Sequence, residues 1–179
     1  LRRRVLHLQR LVDGLLACAR VGRSPETETS VSVVQLLQDV IGVLAPPPQV
    51  IIDVPNNLPT IRGNPERLHQ IFQNLLDNAL KYLDKPEGRV RVEATRQSGA
   101  WEFRVIDNGP GIPLRFREKV FQIFQRLDTR SDIPGTGLGL TLVRRIIEAR
   151  GGRAWIESFD NEGTSVCFIW PDRARRRTE

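Results

Sequence analysis

The chain is poor in cysteine and histidine, and it lacks any long apolar run. Two cysteines occur in 179 residues, Cys18 and Cys167, each among apolar neighbours. That excludes a small scaffold stapled by disulfides; the two read as reduced packing residues of a cytosolic protein, with a bond between them left open. No apolar run reaches the ~18 residues that a membrane-spanning helix needs. The basic start Leu1-Arg2-Arg3-Arg4-Val5 is followed by no long apolar core or cleavage site, which argues against a signal peptide. The phosphate-loop pattern GxxxxGK[ST] is absent, and so are low-complexity tracts. The only histidines are His7 and His69.

The chain does carry an excess of positive charge, +6 with a pI of about 10.3. Such a balance suits nucleic acid, a membrane surface or an anionic ligand. The basic residues are spread out, and cluster only at Arg2–Arg4 and at Arg173 with Arg175–Arg177. No aromatic-interleaved basic stripe accompanies them, so nucleic acid is not the expected partner. Hydrophobic residues make up 40%, enough for one domain with a core and an appendage.

The appendage comes first. Leu1, Val5, Leu8, Val12, Leu15 and Ala19 repeat at the a/d spacing of a coiled coil, and Leu11 and Leu16 widen the stripe. The spacing predicts one helix over residues 1–22. Its seam favours a homodimeric bundle over packing on the following domain, with the latter still open. Gly22 and the polar run to Glu28 form a linker. A second unit begins at about Ser30, with helical spacing from Val33 to Leu44 and a stop at Pro46-Pro47-Pro48, then a short strand over 49–54 and a brief one at Thr60–Arg62. Asn64-Pro65-Glu66 supplies the cap, first position and first-turn acid of a helix to about Leu83. Alternation over 89–94 and 101–106 predicts a hairpin, and 153–158 with 164–170 a second. Between them a short helix is expected over 118–126.

Three stretches carry chemistry. On the helix after Pro65, Asn74, Asp77, Asn78 and Lys81 form a polar strip opposite Leu68, Phe72, Leu75, Leu76 and Ala79. Asparagine is a poor helix former, so two of them mid-helix suggest a use: an amide oxygen can ligate Mg²⁺, and lysine is a point charge for phosphate. Asp107-Asn108-Gly109-Pro110-Gly111 ends a strand with a lone carboxylate and two glycines. It is either an ordinary turn or an acceptor for an exocyclic amino group beside a backbone that allows close approach. Gly135-Thr136-Gly137-Leu138-Gly139-Leu140 runs straight into a helix, which lets backbone N–H groups face a phosphate. Its GxGxG spacing, preceded by a polar loop, is not the dinucleotide fingerprint.

Together, in this order and spacing, these stretches resemble the N, G1 and G2 boxes of sensor histidine kinases, and Phe121–Phe124 resembles their F box. The similarity runs from about residue 30 to 171, with PAS- or phytochrome-type kinases nearest. Residues 1–22 resemble the second helix of the family's dimerisation hairpin. The resemblance implies an α/β two-layer sandwich of the Bergerat ATPase type, a mixed sheet with helices on one face, preceded by a bundle helix. The division would be 1–22 dimerisation helix, 23–29 linker, 30–171 ATP-binding domain and 172–179 basic tail. Asn78 would ligate Mg²⁺ and Lys81 contact phosphate, the two being the catalytic pair, with Asn74 and Tyr82 close by. Asp107 would take the adenine amino group, with Gly109, Gly111 and Ile112 around the ring and Thr164 supporting the pocket through water. Phe124, Gly135, Thr136, Gly137, Leu138, Gly139 and Leu140 complete the set, under a lid at about 114–136. ATP or ADP, a second copy of the chain and the receiver domain of a response regulator would be the partners. The intact protein is expected in the cytoplasm, tethered to a membrane or not.

One departure stands out. The family's acceptor is a histidine followed by an acidic residue, and His7 is followed by Leu8 and His69 by Gln70. The chain is therefore expected to be a catalytic fragment, its acceptor lying elsewhere. The alternatives are a gyrase- or chaperone-like ATP hydrolase and a non-catalytic adaptor. Hydrolases of the superfamily carry a glutamate where this chain has Asn74, and an amide takes no proton from water. The adaptor would need a broken nucleotide motif.

Overall fold

The computed structural model describes residues 2–21, 27–125, 136–159 and 163–173. Helix α1 (Arg2–Arg20) leads to strand β1 (Thr29–Ser32) and helix α2 (Val33–Leu44). Strands β2 (Val50–Asp53) and β3 (Thr60–Gly63), helix α3 (Pro65–Tyr82) and the hairpin β4 (Gly88–Gln97) and β5 (Ala100–Asp107) follow. Helix α4 (Gly139–Arg150) and the hairpin β6 (Ala154–Phe159) and β7 (Gly163–Pro171) close the fold. The main sheet runs β2-β4-β5-β7-β6; β2 is parallel to β4 and the other pairs are antiparallel. Strands β1 and β3 form a separate two-stranded sheet.

Period-2 alternation decides which sheet face is covered. Val90, Val92, Phe103, Val105, Val166 and Phe168 are buried beneath the helices, and Phe72 of α3 meets Phe103 and Phe168 edge-on at 5.7 and 5.8 Å. On the opposite face Arg91 pairs with Asp53 and Glu93, and Arg104 with Glu102 and Glu157. Helix α3 starts as its sequence predicts, Asn64 Oδ1 accepting from Arg67 N at 2.9 Å. Helix α4 ends on Gly151 at φ 92°, the left-handed conformation that glycine adopts without strain. Cys18 and Cys167 are both buried and free.

The structure departs from the sequence reading in one element and adds two features to it. A short strand, β1, precedes α2: Val31 faces the core and pairs with Ile61, and Ser32 caps α2. Where a helix was expected over 118–126, the described residues form a single 3-10 turn, Lys119–Phe121, preceded by another at Leu114–Phe116. Val120 and Phe121 must reach the core, and Gln122 turns extended at ψ 151°, so no second helical turn forms. Helix α1 also has a partner within its own chain. Cys18 is in the main core, and Ala17 and Val21 pack against it, while Val12, Leu15 and Leu16 stay exposed.

Candidate functional site

A cavity of about 410 Å³ opens between α3, the carboxyl end of β5 with its loop, and the amino end of α4. Asn74, Asn78, Lys81 and Tyr82 line its α3 side, which follows from their spacing on one helical face. Asn74 Nδ2 donates to Gln70 O at 2.7 Å, which turns its oxygen toward α4. A Cβ at Gly139 would lie 2.8 Å from that oxygen, so glycine is what lets the two helices approach here. Lys81 is paired with Asp77 one turn earlier. Among the described residues nothing bonds the Asn78 amide, which leaves its oxygen available as a ligand.

At the other end stands Asp107. Its Oδ1 accepts from Gly109 N at 2.9 Å and from Thr164 N at 3.3 Å. Both bonds fall on one oxygen, so Oδ2 can take an incoming donor. Burial pushes the carboxyl above the usual carboxylate range, and the bonds from Gly109 and Thr164 oppose that shift without cancelling it. Gly109 has no room for a side chain, since its Cβ would sit 2.9 Å from Asp107 Oδ1 and 3.0 Å from Tyr82 O. The result is a partly buried acceptor facing a largely apolar space.

Residues that motif reading passed over hold this loop. Ser158 Oγ accepts from Ile112 N and donates to Gly163 O, both at 2.7 Å. Arg117 donates to the carbonyls of Ser158 and Ile112. Asn108 accepts from Arg89 N at 2.8 Å and donates to Glu87 O at 2.9 Å. Gly163, which reads as a mere turn residue, sits at φ 110°, and a Cβ there would overlap the Asp107 carbonyl oxygen. A serine alternating within a strand gives no local sign that it will be the brace.

The amino end of α4 closes the cavity's far side. Its cap residue, Leu138, makes no side-chain cap bond. The first-turn N–H groups are therefore left to a ligand, and the helix dipole favours an anion there. Gly137 adopts φ 68°, accepts from Phe124 N at 3.2 Å and would bring a Cβ to 2.9 Å from Phe124 C. Thr141 Oγ1 bonds Phe121 O at 2.9 Å, and the Arg144 guanidinium lies 4.2 Å over the Phe121 ring. So α4 and the 3-10 segment form one wall.

Asn74, Asn78, Lys81, Tyr82, Asp107, Gly111, Ile112, Thr136, Gly137, Gly139, Leu140 and Thr164 meet at this cavity. Gly109 lies beneath it. Phe124 is in the left-handed region at φ 61° with its ring 54% exposed, outside the lining. Leu138 is buried away from the cavity, against α1. Gly135, and residues 126–135 of the lid expected over about 114–136, lie outside the described residues. Among those residues no trio of histidine, cysteine or acidic side chains is gathered to hold a metal. The donor set thus fits Mg²⁺ arriving with a ligand's phosphates, which keeps its waters and takes few protein oxygens.

A tied-down acceptor at one end and bare N–H groups at the other, with a lysine on the α3 wall, suit a purine base joined to phosphates. Residues 63–174 match the family described as Histidine kinase-, DNA gyrase B-, and HSP90-like ATPase. The chain is 36% identical to Cyanobacterial phytochrome A of Nostoc sp. over 175 residues, 95% of this chain and 22% of that protein. It is also 36% identical to the methanogenesis regulatory histidine kinase FilI of Methanothrix harundinacea, over 93% of this chain and 19% of that one. The chain thus spans less than a quarter of either curated relative. Among solved structures, full-length ShkA in complex with AMPPNP superposes with a TM-score of 0.77 at 30% identity, covering 94% of this chain and 36% of that one. The mycobacterial sensor histidine kinase MprB does so at 0.68 and 28% identity, covering 84% of this chain and 100% of that one. Among the described residues no helix is long and apolar enough to cross a membrane. The chain belongs to the histidine kinase-, DNA gyrase B- and HSP90-like ATPase family, and it is homologous to the ATP-binding catalytic domain of sensor histidine kinases.

Proposed function

We propose that the cavity binds ATP with Mg²⁺ and presents its γ-phosphoryl group to a histidine outside this chain. The observation that carries this reading is Asp107, a partly buried carboxylate in the cavity wall with one oxygen tied to backbone and the other without a bond among the described residues. An adenine amino group donates to that oxygen; guanine offers a carbonyl there and is refused. Asn78 ligates the Mg²⁺ brought by the phosphates, and Mg²⁺ supplies charge neutralisation across them. Lys81 leaves Asp77 for a phosphate, and the N–H groups around Gly137 and Gly139 face the same end. In the transfer, the bond from the γ-phosphorus to the bridging oxygen breaks and a bond to an imidazole nitrogen forms. ADP leaves, and the imidazole proton passes to solvent. The protein contributes position and charge.

The division 1–22, 23–29, 30–171 and 172–179 belongs to this reading, as do a homodimer through the exposed seam of α1 and a receiver-domain partner in the cytoplasm. A hydrolase is disfavoured because Asn74, spent on Gln70 O, supplies no base. Incubation with γ-labelled ATP and Mg²⁺ tests the assignment. The chain alone should bind nucleotide yet neither label itself nor release phosphate, and adding a dimerisation hairpin that carries the acceptor histidine should give acid-labile label on the hairpin. Steady phosphate release by the chain alone would favour the hydrolase, and acid-labile label lost in His7→Gln would move the acceptor into α1.

A further inference from the structure

Leu138 stands between Gly137 and Gly139, whose backbone the cavity uses, but its own side chain turns away and is only 2% exposed. It turns toward α1. A Cβ at Gly14 of α1 would lie 2.8 Å from Leu138 Cδ1 and 3.4 Å from Leu138 Cβ. Glycine is a poor mid-helix residue, and it occurs in α1 at the one point where Leu138 needs the room. The same face of α1 continues with Ala17, Cys18 and Val21, all packed on the core, and Arg145 Nη1 of α4 donates to Cys18 O at 3.3 Å. The opposite face bears the exposed Val12, Leu15 and Leu16. Helix α1 is thus seated on one side and unpartnered on the other.

We propose that Gly14 is a positioning residue for the cavity: the seat of α1 on Leu138 sets where the Gly137–Gly139 backbone lies, and thereby how well the terminal phosphates of the nucleotide are held. The proposal deepens the reading of the cavity as an ATP site and rests on it. The peptide around Leu138 is confined on two sides: a Cβ at Gly139 would lie 2.8 Å from the Asn74 oxygen, and one at Gly14 2.8 Å from Leu138 Cδ1. The same backbone is tied by the Phe124 N–H, which donates to the Gly137 carbonyl at 3.2 Å, and by the Leu138 N–H, which bonds Thr136 Oγ1 at 3.4 Å. A buried side chain on a close-packed seat cannot absorb a push by rotating freely, so its backbone moves. Helix α1 packs on α4, whereas the adenine end lies on β5 and β7. Coupling of this kind is reciprocal: whatever α1 does to phosphate binding, phosphate does to the seating of α1.

Gly14→Leu in the full chain tests this, because leucine favours the helix itself and blocks only the notch. ATP affinity, measured by calorimetry with Mg²⁺, should fall about tenfold, whereas AMP, followed by chemical-shift titration, should bind as in the parent. Adding Leu138→Ala to Gly14→Leu reopens the seat and should restore most of the ATP affinity. In the unsubstituted chain, ATP should slow amide exchange over residues 11–21. Unchanged ATP affinity in Gly14→Leu, equal losses for ATP and AMP, or no recovery in the double variant would each overturn the proposal. Failure of the unsubstituted chain to bind ATP would instead overturn the ATP site itself, and is read in the same titration.

Discussion

Replacing Asp107 with asparagine alters the chemistry of one atom at the base end of the cavity and leaves its shape intact. The two backbone donors, Gly109 N and Thr164 N, both point at Oδ1. They hold the amide oxygen of the variant in that place, which forces the NH₂ group into the cavity where Oδ2 was. An adenine amino group then meets a donor in place of an acceptor. Losing one charge-assisted hydrogen bond costs about 1.5–3 kcal/mol, or about ten- to a hundredfold in affinity. Calorimetry with ATP and Mg²⁺ reads the loss directly; equal affinities for the two proteins would refute the assignment of Asp107 to the base.

Stability separates that loss from general damage. Burial raises the Asp107 pKa, so the folded chain holds the proton more tightly than the unfolded chain does. Stability therefore rises as pH falls through the raised pKa, and the ionised carboxylate is a cost that is fully present above it. Asparagine carries no such cost. Asp107→Asn should melt no lower than the parent at neutral pH, and any advantage should shrink once the medium is acid enough to protonate the parent's carboxyl. A lower melting temperature at neutral pH would mean that Asp107 chiefly supports the fold.

Other substitutions probe the remaining parts. Asn78→Ala should abolish most of the Mg²⁺ dependence of ATP binding while leaving AMP binding alone, as titration with and without chelator would reveal. Ser158→Ala strands the Ile112 N–H and the Gly163 carbonyl in a site that is 2% exposed, and should cost about 1–3 kcal/mol in denaturant unfolding. Gly163→Ala must place a side chain at φ 110° against the Asp107 carbonyl, and should cost about 1–3 kcal/mol and weaken ATP as well. An alanine there that binds ATP normally would show that the strand edge yields without moving Asp107.

What sequence reading recovered is what local pattern encodes. The hairpins follow from period-2 alternation, and α3 from an Asn-Pro-Glu start and an apolar face, because each signal is complete within its own residues. Strand β1 gave no sign in the sequence because four residues, Thr29–Ser32, become a strand only by pairing with Thr60–Gly63, about thirty positions on. The 118–126 segment has two phenylalanines at helical spacing, yet the core takes Phe121 while Phe124 is left outside at φ 61°. Packing decides that, and packing is not local.

The glycines make the same point at the site itself. A glycine in a sequence signals that a side chain is unwelcome, but the reason is a neighbour the sequence does not name. At Gly109 it is the Tyr82 carbonyl, at Gly139 the Asn74 amide, at Gly163 the strand bearing Asp107, and at Gly14 the side chain of Leu138. The first two of these contacts join separate motifs into one cavity, and the third ties the closing hairpin to it. The fourth lies far from any motif, on a helix whose a/d repeat explains its exposed face and says nothing of its seated one. The resemblance assigns Leu138 to the ligand along with the rest of its stretch, but its side chain is buried against α1. The motif therefore has two sides, one toward the phosphates and one toward α1, and a change felt at either is carried through a single residue.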